Sequence, residues 1–152
     1  MLALLVKYFK AADSEKADGF ETKILIATCV LLLEIANSDD EFSPVERKII
    51  QGILEEELEI PRDDIEKLLE LAARDRRESV DIWEYTNLIN QYFSKPEKIL
   101  LVERLWRVIY ADGKVDQFED YLAHKLADLL RLSHEDFIQA KLRAKPDGYS
   151  GR

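Results

Sequence analysis

The segment "CVLLLEIANSDDEFSPVERKIIQGILEEELEIPRDDI", residues 29–65, lies over "VERLWRVIYADGKVDQFEDYLAHKLADLLRLSHEDF", residues 102–137, at a spacing of 73. Leu33 falls on Trp106, Phe42 on Val115, Val45 on Phe118, Ile49 on Leu122 and Ile53 on Leu126. After a gap of one residue, Leu58, Ile60 and Ile65 fall on Leu130, Leu132 and Phe137. A unit that occurs only twice, at a spacing above 70 residues, does not stack into a solenoid. It predicts a globule with pseudo-two-fold symmetry.

Each copy reads as a helix, an acidic joint, a second helix, a short turn and the start of a third. Apolar residues recur at helical spacing almost everywhere, whereas β-branched alternation and turn glycines are scarce. The spacing predicts helices at about 2–11, 21–37, 44–58, 62–75, 81–93, 95–111, 117–131 and 134–143. Ser43, Pro44 and Glu46 stand in the order of N-cap, first-turn proline and capping-box glutamate. Asp81 with Glu84, Ser94 with Glu97, Asp116 with Glu119 and Ser133 with Asp136 repeat the pattern less completely. Gly113 is suited to the left-handed turn that closes a helix. Trp83 and Trp106 read as core or core-edge residues. The expected fold is all-α, a single compact domain of seven to eight helices. Residues 1–19 form an N-terminal helix and linker, 20–143 the helical domain and 144–152 a flexible tail.

At 152 residues, such a domain hides roughly 70% of its extended-chain surface. A net charge of −9 argues against a nucleic-acid partner, which needs a basic stripe. The lone Cys29, in "ILIATCVLLLEIA", forms no internal disulfide and reads as an inert core thiol. That apolar run is short of the roughly 20 residues of a membrane span and contains Glu34. The opening "MLALLVKYFKAAD" lacks a basic leader, so packing on its own domain is expected, with a weak peripheral membrane contact as the alternative. A cytoplasmic protein is expected.

The chemistry concentrates at the two joints, "NSDDE" before "FSPVERKII" and "YADGKVDQFEDYL". Asp39 corresponds to Asp112 and Glu46 to Glu119. The glutamates are explained by helix initiation. The aspartates each follow a helix C-terminus, where the dipole disfavours an anion by a few tenths of a kcal/mol. Loop hydrogen bonds would offset that cost, and a cation would offset it more fully. Asp39, Asp40, Glu46, Asp112, Asp116 and Glu119 are therefore the candidate metal ligands. All-oxygen donors suit calcium, magnesium or manganese rather than zinc. The spacing is not that of an EF-hand, since glutamate arrives at position eight from Asp112 rather than twelve. His124 and His134 lie outside the joints and read individually as satisfied or solvated side chains. No phosphate loop, nucleophile triad or Cys/His pairing is recognisable, so no enzyme is expected.

"VIYADGKVDQFEDYLAHKLADLLRLSHEDF" resembles the signature of the TerB-like family, named for tellurite-resistance operons, and "IANSDDEFSPVERKII" is similar to a more divergent first copy. Related domains occur at the N-terminus of DnaJ-type membrane co-chaperones, and no J-domain is expected within these 152 residues. The resemblance implies an all-α pseudo-symmetric fold and an acidic, metal-binding surface at Asp112 and Glu119 and at Asp39 and Glu46. In the first copy Asp40 replaces the glycine and Ser38 the alanine. The expected function is thus a non-enzymatic acidic helical module that binds a divalent cation, a partner protein or both, in tellurite or another stress response. A pure protein-interaction scaffold with structural joints is the alternative. Oligomeric state is not legible.

Overall fold

The computed structural model describes residues 20–36, 44–113, 115 and 117–146. Among these the chain is all-α, with seven α-helices: α1 Phe20–Ala36, α2 Pro44–Gly52, α3 Arg62–Glu78, α4 Trp83–Tyr92, α5 Lys95–Ile109, α6 Gln117–Leu129 and α7 His134–Ala144. The expected helix at 2–11 lies outside the described residues, as does most of the expected tail.

Helix α1 is the axle of the domain. Ile24, Leu25, Ala27, Cys29, Val30, Leu31, Leu32, Ile35 and Ala36 are all buried, so the helix is apolar almost all round, as a central helix must be. Its one buried hydroxyl, Thr28, donates back to the Ile24 carbonyl at 3.0 Å. Burial pushes the Cys29 thiol up to about 12, which keeps it protonated and inert.

The packing order follows the repeat. Helix α1 packs on α3 as α5 packs on α7, and α2 packs on α5 as α6 packs on α1. The first helices of the two copies, α1 and α5, cross directly. Helix α4 belongs to neither copy and joins them by packing on α1 and α6. The pseudo-two-fold arrangement expected from the repeat is therefore present.

Two of the expected caps form as capping boxes. Ser94 Oγ accepts from Glu97 N at 3.4 Å while Glu97 Oε1 accepts from Ser94 N at 2.8 Å. Ser133 and Asp136 do the same at α7, with distances of 3.1 and 3.3 Å. The Ser133 hydroxyl, and after it Lys95, hold the Asp136 carboxyl below the usual carboxylate range. The expected pairing of Asp81 with Glu84 is replaced by a later start. Asp81 Oδ1 accepts from Trp83 N at 3.1 Å, and the helix begins at Trp83 instead of 81. Trp83 is consequently 55% exposed rather than core, whereas Trp106 is fully buried against Tyr110 and Phe137.

The one-residue gap in the repeat has a structural cause. Residues Ile53–Glu57 form a π-turn at the end of α2, and α6 has none. Leu58 N reaches back five residues to Ile53 O, whereas its counterpart Leu130 N reaches four to Leu126 O. Ile60 N reaches six residues to Leu54 O, and Leu132 N reaches five to Ala127 O. One inserted residue is absorbed in the helix, and both copies then end on a left-handed non-glycine residue, Glu59 at φ 54° and Arg131 at φ 62°.

Candidate functional site

Glu46 and Glu119 occupy the third position of α2 and α6, and both are buried, at 2% and 3% exposure. Full burial of a carboxylate is tolerated only when it is well partnered, and both residues make polar interactions. The cap positions before them, Ser43 and Asp116, lie outside the described residues, as do Asp39 and Asp40. Asp112 ends a 3-10 turn, Tyr110–Asp112, that continues α5, and Gly113 follows at φ 78°. That left-handed glycine closes the helix as the sequence predicts, with Gly113 N donating to Tyr110 O at 3.0 Å.

The fold brings the second joint close to the first copy. The 3-10 turn carrying Asp112 packs against α2, the helix that starts at the first joint. Of the six predicted ligands, the structure thus describes Glu46 and Glu119 in full and the backbone of Asp112. Among the described residues, no group of three or more Asp, Glu, His or Cys side chains stands close enough to hold a metal ion. The two glutamates offer carboxylate oxygens alone, and that donor chemistry fits a hard divalent cation better than zinc.

Other charged groups are satisfied within the fold. At equivalent positions of the two copies stand Glu34 and Arg107, opposite in sign. Glu34 receives Arg76 through two bonds of 3.1 and 3.2 Å. Arg107 donates to Glu57 Oε1 at 2.9 Å, and Arg104 donates to Glu57 Oε2 at 2.7 Å. Arg104 is buried, so Glu57, the last residue of the π-turn, neutralises a charge that has left water. Lys98 and Asn90 cap the end of α6. Lys98 Nζ donates to Leu130 O at 3.0 Å and Asn90 Nδ2 to Leu129 O at 2.8 Å. Burial, and after it Arg131, lower the Lys98 ammonium from its usual range.

A cleft of about 450 Å³ opens beside the π-turn, between Lys48, Gln51, Glu55, Glu56, Arg62 and Glu66. Arg47 and Gln51 both donate to Glu66, and Arg62 lies 3.5 Å from Glu55, so ion pairs and hydrogen bonds already engage much of its wall. Reading residues one at a time missed one feature, the approach of His124 to His134. They lie ten positions apart on different helices, and only the turn between α6 and α7 brings them together.

The described residues thus build a small all-α module of two pseudo-symmetric copies, each with a buried glutamate at the third position of its second helix. The family described as tellurite resistance protein TerB matches residues 25–142. The chain belongs to the TerB family. Neither a curated relative nor a solved structure matches it. Among the described residues, no helix is long and apolar enough to cross a membrane.

Proposed function

We propose that this chain is a non-enzymatic, cytoplasmic TerB-family module that binds a divalent cation at its paired acidic joints. The observation that carries the proposal is the burial of Glu46 and Glu119 at matching positions, each one turn inside a helix that an acidic joint introduces. In this reading Asp39 and Asp112 would supply the first carboxylates, Asp40 and Asp116 further ones, and Glu46 and Glu119 would brace the loops or complete the shell. The contact of α2 with the turn carrying Asp112 supports a shared site. A bound ion would contribute Coulombic stabilisation to loops whose carboxylates otherwise repel one another at helix ends. The reading is tested by a crystal soaked in manganese. Anomalous density between Asp39 and Asp112 is expected, and its absence at a fully exchanged soak overturns a shared ion.

A second reading is favoured by exposed apolar residues at the same place. Val45 and Phe118, second in α2 and α6, are 48% and 53% exposed, and Tyr121 follows one turn later at 64%. Large apolar side chains at this exposure suit a partner protein docking beside the joints. The ion and the partner are compatible, because an ion that orders the joints would also set this surface. A part in tellurite or another stress response follows from the family's name and belongs to the same proposal.

A further inference from the structure

The chain has two histidines, and the fold brings them together. His124 projects from α6 and His134 opens α7, with ring centroids 6.2 Å apart and ring planes within 12° of parallel. His124 lies against buried Phe137 at 4.1 Å, so its ring is backed by the core. Asp120, one turn earlier on α6, places Oδ2 3.8 Å from His124 Nε2. Its other oxygen lies 3.6 Å from Lys141 Nζ, which sits 4.6 Å above the Trp106 ring.

We propose that His124 and His134 form a second cation site, selective for a borderline transition metal such as nickel, copper(II) or zinc, with Asp120 positioning His124. Neutral imidazole is the side chain these ions prefer, whereas the hard cations proposed for the joints prefer oxygen. Asp120 Oδ2, at 3.8 Å, stands beyond hydrogen-bond length from Nε2, and its charge favours the tautomer with the proton on that nitrogen, which leaves the Nδ1 lone pair for the ion. The metal–nitrogen bond is about 2.1 Å, which puts each ring centroid about 3.2 Å from the ion. Two imidazoles on one ion therefore have centroids no more than about 6.5 Å apart, and the observed spacing falls inside that limit. His134 is exposed and begins its helix, so its ring has room to turn toward the ion. The Lys141 charge is balanced by Asp120. With two protein ligands, water completes the shell, and binding is weaker than at a closed four-ligand site.

The test is calorimetric titration of the full chain with nickel chloride, with histidine ring-proton NMR in parallel. One saturable equivalent that depends on the histidines is expected, beside any nickel taken by the joints, and the resonances of both histidines should broaden together. His124→Ala and His134→Ala should each weaken binding at least tenfold while circular dichroism stays native. Asp120→Asn should weaken it about tenfold, in the range for a residue that orients a ligand. In the variant carrying both Asp39→Asn and Asp112→Asn, the histidine-dependent equivalent and the joint broadening of the two histidine resonances should persist, whatever nickel the joints lose. The proposal is overturned if nickel does not saturate the wild-type chain, or if both histidine variants bind it as well as wild type.

Discussion

The ends of α2 and α6 are the same device built at two lengths. Both finish on a left-handed non-glycine residue, and both return an amide to equivalent carbonyls, Leu54 O and Ala127 O. The first holds one more residue and stores it as a π-turn. The π-turn also places Glu57 against Arg104 and Arg107 on α5, an ion-pair cluster that ties the first copy to the second. Packing and helix termination therefore keep the symmetry, while surface charge departs from it. Glu34 and Arg107 occupy matching positions with opposite sign, and each has found its own partner.

Paired substitutions at matching positions separate the two copies, and urea denaturation reads each of them. Trp106→Ala should cost about 4 kcal/mol and Leu33→Ala about 3 kcal/mol, because both empty matching core positions and the larger side chain leaves the larger cavity. Equal losses would mean that the two halves relax differently around the cavity. Glu57→Ala should cost about 2–3 kcal/mol, since it strands Arg104, whose side chain is only 7% exposed. Glu34→Ala should cost about 1 kcal/mol, because Arg76 at 32% exposure can recover water. A reversal of that order would place the charge balance in the symmetric frame rather than in the π-turn.

Glu46→Ala and Glu119→Ala should each cost about 2 kcal/mol, the loss expected when a buried carboxylate leaves partners unsatisfied. Similar values support equivalent joints, whereas a loss at one joint alone contradicts equivalence. The smallest effects are expected at the left-handed residues. Glu59→Gly and Arg131→Gly should each gain a few tenths to about 1 kcal/mol, as relief of the positive φ outweighs the added freedom of the unfolded chain. A loss at either position would show that the side chain contributes more than the strain.

The helices were legible because their evidence is local. Ser94 with Glu97 and Ser133 with Asp136 carry their caps in the sequence, and both boxes form. The repeat was legible down to its single-residue gap, but the π-turn that absorbs the gap was not, since an inserted residue is accommodated by backbone hydrogen bonding rather than by residue type. Trp83 was misplaced for a local reason as well. Asp81 caps by bonding Trp83 N, and the later helix start turns the indole outward. The joints were legible as acidic and paired, whereas the burial of Glu46 and Glu119 was not, because it is set by the neighbouring helices. The proposed shared ion rests on the tertiary placement of two segments distant in sequence, which no local pattern encodes. The two histidines escaped for the same reason, because their approach belongs to the α6–α7 turn and not to either helix.

The central claim is that the two joints share a cation. Its most direct measurement is the melting temperature of the full chain in millimolar calcium, magnesium and manganese, compared with the variant carrying both Asp39→Asn and Asp112→Asn. A rise of several degrees is expected for wild type with at least one of these ions, from binding to the folded state alone, and none for the variant. An unchanged melting temperature with every ion, or an equal rise in the variant, would contradict it.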